Sequence, residues 1–121
     1  GADGGIYVTG VTKSSNFPVI AGAYDESING YKDIFISKFS PDLKNLSAST
    51  FLGGGLDDFG NSVTVDMEGN VYVTGFSESN NFPVTGSDVY KGNDDVVVAK
   101  LTSNLSLSVM TASSTKISFT F

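Results

Sequence analysis

Clustered carboxylates are the groups in this chain best suited to chemistry. The clusters are Asp57-Asp58, Asp94-Asp95, and Asp66 together with Glu68. Several carboxylate oxygens can bind Ca²⁺, and two acids that share a proton can perform acid–base catalysis. Aspartate beside glycine also caps turns by accepting hydrogen bonds from backbone N–H groups, and we favour this structural role here. The weak metal candidates are Asp57, Asp58, Asp66 and Glu68.

The residue types that are missing argue against catalysis. The chain has no histidine and no cysteine, so the commonest general base, the thiol nucleophile and any disulfide are excluded. Gly53-Gly54-Gly55 resembles a phosphate-binding loop, but no Lys-Ser or Lys-Thr pair follows it, and we interpret it as a turn. The sequence therefore predicts a protein that is not an enzyme and holds no cofactor.

Charge and composition restrict the partners. Thirteen acidic and seven basic residues give a net charge of −6, which repels nucleic acid and anionic lipid headgroups. No apolar stretch approaches the roughly 18 residues that a membrane-spanning helix needs. We therefore predict neither nucleic-acid binding nor membrane insertion. The many glycines and the short apolar runs are typical of short strands joined by tight turns, which indicates an all-β fold.

An internal repeat defines the elements that must position these residues. Residues 5–20 (GIYVTGVTKSSNFPVI) and 70–85 (NVYVTGFSESNNFPVT) match at nine of sixteen positions with an offset of 65. Further along, residues 33–39 (DIFISKF) correspond to 95–101 (DVVVAKL) with an offset of 62. Such self-similarity indicates two copies of one structural unit.

The two units are residues 1–66 and 67–121, and each is predicted to be a four-stranded antiparallel blade. The predicted strands are Ile6–Thr12, 34–39, Leu46–Leu52, 61–66, Val71–Ser77, 96–102, 105–111 and a divergent terminal strand at 116–121. The runs at 34–36 and 96–99 are apolar on both faces, so both sides of each sheet must be covered. Stacked propeller blades provide that cover. The alternative is a β-sandwich of two four-stranded sheets, which would be a closed monomer.

Several short motifs occur in a fixed order. They are Asn70-Val71-Tyr72-Val73-Thr74-Gly75, Asn81-Phe82-Pro83-Val84, DIFISKF at 33–39, Ser49-Thr50-Phe51-Leu52-Gly53-Gly54 and Asp57-Asp58-Phe59-Gly60-Asn61. In this order they resemble the bacterial β-propeller repeat family called SBBP. The resemblance implies an exported bacterial protein with an extracellular or cell-surface setting. The repeated positions to which we assign structural roles are Tyr7, Gly10, Phe17, Pro18, Tyr72, Gly75, Phe82 and Pro83.

Two blades cannot close a ring, because propellers have about four to eight. We expect other copies of the chain or a longer parent to complete it, and we predict a homo-oligomer, either a trimer or a tetramer. The predicted function is a structural or protein-interaction module that self-associates through its blade faces. The alternative is a propeller that binds a protein or glycan ligand, as a lectin-like or calcium-dependent adhesin, through loops 21–31 and 85–93.

Overall fold

A computed structural model describes residues 4–20, 25–28, 30–79, 95–105 and 107–113 of the chain. Within these ranges the secondary structure is entirely β, which confirms the predicted class. The strands are β1 (Ile6–Thr12), β2 (Asp33–Phe39), β3 (Leu46–Leu52), β4 (Asp58–Val65), β5 (Val71–Ser77), β6 (Asp95–Leu101) and β7 (Leu107–Ser113). No helix among the described residues is long and apolar enough to cross a membrane.

The strands form two antiparallel sheets. The first sheet has the order β1-β2-β3, and the second has the order β4-β5-β6-β7. The prediction of two four-stranded blades was therefore wrong for the first sheet, which has three strands in the described part of the chain. The predicted strand at 61–66 falls within β4, which pairs with β5 in the second sheet. The predicted strand at 116–121 lies outside the described residues.

A tight hairpin explains why β4 joins the second sheet. Gly69 has a φ of 88°, a left-handed conformation that glycine adopts without steric cost and that suits a short hairpin turn. Its N–H donates to the carbonyl oxygen of Asp66 over 3.2 Å. The hairpin makes β4 and β5 neighbours, and so the sheets divide between β3 and β4 although the sequence repeats divide at residue 66.

The backbone repeats with the same offsets as the sequence. Gly4 and Gly69, which are 65 residues apart, both have positive φ, and so do Leu43 and Leu105, which are 62 apart. The strand pairing also shifts by one residue at equivalent places, between Lys38 and Phe39 in the first sheet and between Lys100 and Leu101 in the second. The two sheets are therefore copies of one unit in detail, apart from the strand that the first sheet lacks.

The two sheets share one core. It is formed by Ile34, Ile36, Ala48 and Leu52 of the first sheet with Val71, Val73, Val97, Ala99 and Leu101 of the second, together with Leu105. We call the surfaces that meet in this core the inner faces and the opposite surfaces the outer faces. Because side chains alternate along a strand, each outer face carries the residues between these core positions.

The two inner faces are not equivalent to each other. Ile34 and Ile36 of the first sheet correspond by the offset of 62 to Val96 and Val98, but the second sheet contributes Val97 and Ala99 to the core instead. One sheet therefore presents the opposite side of the repeat from the other. A sandwich built from two equivalent sheets about a twofold axis would bring like faces together, whereas successive propeller blades stack front to back.

Candidate functional site

The outer face of the first sheet is apolar and partly open. Ile6 is 42 % exposed and Val8 40 % exposed, whereas their equivalents in the second sheet, Val71 and Val73, are 0 % and 1 % exposed. Equivalent residues in equivalent strands thus differ only in what is packed on them. The outer face carries side chains suited to an interface.

An aromatic cluster lies on the same outer face. The Phe17 ring lies 4.5 Å from that of Phe35 and 6.1 Å from that of Phe51, measured between centroids. Pro18, beside it, is exposed. The Asn-Phe-Pro-Val segment therefore folds back over its own sheet in the first copy, while Phe82 and Pro83 of the second copy lie outside the described residues.

The outer face of the second sheet is also apolar. The rings of Phe59 and Phe76 stack with their centroids 4.5 Å apart, and Lys32 Nζ lies 5.4 Å from the Phe59 centroid. Val96 on the same face is 41 % exposed, whereas its equivalent Ile34 is 0 % exposed. Each sheet thus has one covered and one open apolar side, and the open side is opposite in the two copies.

A tyrosine–lysine pair recurs on the corresponding surface of both sheets. Lys38 Nζ lies 5.3 Å from the Tyr7 ring centroid, and Lys100 Nζ lies 5.9 Å from that of Tyr72. In the first sheet, Lys38 Nζ and the Tyr7 hydroxyl both donate to the carbonyl oxygen of Ser103, each over 3.3 Å. The pair therefore fastens one sheet to a turn of the next.

The buried carboxylate of Asp58 binds the two sheets together. Oδ2 accepts a hydrogen bond from the Gly54 N–H over 2.9 Å, and Oδ1 accepts from the hydroxyls of Ser77 and, over 3.0 Å, Ser79. Burial raises the pKa of Asp58 above its ordinary value, and these hydrogen bonds oppose the increase. Asp58 thus performs the capping role that the sequence favoured.

The glycine-rich connection between the sheets is shaped around this carboxylate. A Cβ on Gly53 would lie 2.5 Å from Asp33 Oδ1 and 2.6 Å from Asp58 Oδ2. No side chain fits between these two buried acids, so glycine is required for steric reasons at this position. The connection is therefore a tight passage between β3 and β4.

The other candidate ligands lie in separate turns. Asp66, at the far end of β4 from Asp58, accepts hydrogen bonds from the backbone N–H groups of Glu68 and Asn70, each over 2.9 Å. The side chain of Asn70 also donates to Asp66, and these bonds hold the pKa of Asp66 below its usual value. Among the described residues, no three acidic side chains are grouped so that they could hold a metal ion. Asp94 lies outside the described residues.

Gly10 and Gly75 are equivalent but have different surroundings. A Cβ on Gly75 would overlap the carbonyl oxygen of Phe59 in β4, whereas a Cβ on Gly10 would meet the Phe35 ring at 3.0 Å. Gly75 is thus needed for the close approach of a backbone, and the same approach is not seen at Gly10 within the described part of the chain. Sequence analysis identified both glycines but did not distinguish their environments.

Ser77 and Ser79 are the important residues that sequence analysis missed. Both are buried and both donate to Asp58. The signal was present, because they occupy the positions equivalent to Thr12 and Ser14 under the offset of 65. A repeated hydroxyl pair at the end of a strand deserved the same weight as the repeated glycines.

The comparisons with known proteins agree with this geometry. Residues 49–83 match the family model described as SBBP, a beta-propeller repeat. This segment is an SBBP-type repeat. It begins in β3 of the first sheet, includes β4 and β5, and ends after the second sheet has begun. The SBBP unit therefore straddles two sheets, which explains why the sequence repeat and the sheets divide at different places. No curated protein matches the chain.

Proposed function

We propose that the chain is a non-catalytic propeller module of an exported bacterial protein. We propose further that copies stack head to tail through their outer faces, forming a trimer or a tetramer. The observation that carries the proposal is the exposure of Val8 and Val96, at 40 % and 41 %, where the equivalent residues Val73 and Ile34 are 1 % and 0 % exposed. The exported setting rests on the family resemblance alone.

The two outer faces are complementary because of the repeat. The outer face of the second sheet corresponds to the inner face of the first, and the outer face of the first corresponds to the inner face of the second. Placing the second sheet of one copy on the first sheet of the next would repeat the interface already present inside the chain. Such an interface is heterologous, and it ends in a closed ring when the rotation between copies allows it.

One polar contact of this interface can be specified. Gly4 lies beside Pro41 as Gly69 lies beside Ser103, so Pro41 and Ser103 are equivalent turn residues. Lys38 donates to the Ser103 carbonyl oxygen inside the chain. We therefore expect Lys100, the equivalent of Lys38, to donate to the Pro41 carbonyl oxygen of the next copy.

The non-catalytic part of the proposal is supported by the role of the buried polar groups. The carboxylate of Asp58 is held by Ser77, Ser79 and a backbone N–H at the junction of the two sheets. Tyr7 and Lys38 contact the turn at Ser103. These groups stabilise the stacking of one sheet on the next, which is what a module that presents surfaces requires. Ligand binding through loops 21–31 and 85–93 stays a prediction, because most of these residues lie outside the described ranges.

The test uses two variants and their mixture. Val8→Asp places a charge on the outer face of the first sheet, and Val96→Asp places one on the outer face of the second. Each variant should sediment as a monomer of 12.7 kDa, whereas the unaltered chain should sediment as a trimer or tetramer. An equimolar mixture should form a dimer and nothing larger, because each variant keeps one intact face and the two intact faces are complementary.

The control is Met67→Asp, since Met67 lies at the hairpin tip and is 94 % exposed. This variant should assemble like the unaltered chain. An unaltered chain that stays monomeric at all concentrations would refute self-association. If one charged variant still forms dimers alone, the interface joins identical faces, and the head-to-tail arrangement is wrong.

A further inference from the structure

The first sheet lacks the strand that borders the second. In the second sheet, β4 pairs with β5 along its whole length. In the first sheet, β1 is equivalent to β5 and pairs with β2, and no described strand lies on its other edge. A strand edge of this kind presents N–H and C=O groups that an extended segment can pair with.

The register of β4 on β5 specifies what such a segment must contain. Asp58 lies opposite Ser77, Gly60 opposite Gly75, and Val63 and Val65 opposite Val73 and Val71. The offset of 65 transfers the four partners to Thr12, Gly10, Val8 and Ile6 of β1. A matching segment therefore has an aspartate at its start, a glycine near its middle and two apolar residues at alternate positions near its end.

The β1 edge has the features that β4 uses on β5. In the second sheet, the Ser79 N–H donates to the Ser77 hydroxyl over 3.0 Å, and both hydroxyls hold the Asp58 carboxylate. At the end of β1, the Ser14 N–H donates to the Thr12 hydroxyl over 3.1 Å in the same way. Thr12 is 9 % exposed. The hydroxyl arrangement that receives an aspartate is thus formed beside β1 as well.

Gly10 supplies a second feature. At Gly75 the backbone of β4 occupies the space that a Cβ would need, whereas at Gly10 the nearest described atoms belong to the side chain of Phe35. A glycine with no backbone against it is costly in a strand, because glycine gives up the most conformational freedom and adds no packing. An incoming backbone carbonyl at Gly10 would account for this residue.

We propose that the free edge of β1 accepts an extended segment with the β4 pattern Asp-Phe-Gly-Asn-x-Val-x-Val, supplied by another SBBP-type repeat. The inference rests on the proposed propeller module but not on its self-association. The segment would add antiparallel to β1, with its aspartate at Thr12 and its glycine at Gly10. This pairing would complete the first sheet as a four-stranded blade.

The test uses a fluorescent peptide with the sequence of residues 57–66 and the full-length Val96→Asp variant, whose β1 edge is unaltered. Binding is measured by fluorescence anisotropy. Two further peptides carry backbone N-methyl groups, one at Val63 and Val65 and the other at Ser62 and Thr64. Successive N–H groups of a strand point to opposite edges, so one methylated peptide should lose binding while the other retains it.

The Gly10→Ala variant provides a control on the protein. It should bind the peptide at least about tenfold more weakly, because the added methyl group occupies the space of the incoming backbone. A scrambled peptide should not bind. Equal binding of the two N-methylated peptides, or no binding of the unmodified one, would overturn the proposal. Stronger binding by a peptide of residues 116–121 would overturn it too and assign the edge to the tail of a second copy. Because Val96→Asp is used, these outcomes do not depend on whether the chain self-associates.

Discussion

The two sheets of this chain repeat one sequence but bury opposite sides of it. Val8 and Val73 are the same residue at equivalent positions, yet Val8 is 40 % exposed and Val73 is 1 % exposed. The reverse holds for Ile34, which is buried in the first sheet, and Val96, which is open in the second. Burial in this molecule therefore depends on the neighbouring sheet and not on the strand itself. Substitutions at equivalent pairs measure that difference directly.

The largest effect should come from the core position of an equivalent pair. Ile34→Ala removes a fully buried side chain and should lower the free energy of unfolding by about 2–5 kcal/mol. Val96→Ala, at the equivalent open position, should lower it by less than about 1 kcal/mol. Urea denaturation at a dilution at which the chain is monomeric compares the two. Equal losses would show that the two faces are equally packed.

The next effect concerns the equivalent glycines. Gly75→Ala should lower the free energy of unfolding by about 3 kcal/mol, because the new methyl group would overlap the Phe59 carbonyl and a backbone atom cannot move aside easily. Gly10→Ala should cost less, since the Phe35 ring can rotate away from the methyl group. Thermal unfolding of the two variants gives the ranking. A larger loss for Gly10→Ala would contradict the assigned surroundings.

A smaller effect is expected from the carboxylate at the junction of the sheets. Asp58→Ala should destabilise the fold by about 1–3 kcal/mol, because the buried hydroxyls of Ser77 and Ser79 and the Gly54 N–H lose their acceptor. Asp58→Asn should be milder, since the amide oxygen can accept from Gly54 while the hydroxyls accept from the amide nitrogen. Denaturant titration of both variants distinguishes a lost acceptor from a lost charge.

The smallest effect is a difference in pH dependence between Asp58 and Asp66. The pKa of Asp66 is lowered by its hydrogen bonds, so its contribution is present above its ordinary pKa and is lost as pH falls through the lowered value. The pKa of Asp58 is raised by burial, so the folded state takes up a proton more readily and its contribution grows as pH falls through the raised value.

Stability relative to the Asp66→Asn variant should therefore decrease on acidification, whereas stability relative to the Asp58→Asn variant should increase. Melting temperatures measured across the acidic range would show the two opposite slopes. Slopes of the same sign would mean that burial does not dominate at Asp58.

The sequence by itself determined the local structure of this protein. The period of the repeat, the β-branched runs and the turn residues predicted the ranges of β1, β3 and β5, because strand periodicity and turn conformation are local properties. They also placed Gly69 and Asp66 in the hairpin between the copies. The same hairpin implied that β4 and β5 are neighbours, since a short turn forces the strands on either side of it to pair.

Only the tertiary structure decided which residues belong together beyond neighbouring strands. Strands that are apolar on both faces indicate cover on both sides, but they do not say which side is covered by this chain. The choice of inner face, the meeting of Asp58 with Ser77 and Ser79, and the different surroundings of Gly10 and Gly75 all follow from the stacking of one sheet on the other. Sheet stacking joins residues far apart in sequence, and a pattern with a period of two is the same on either face.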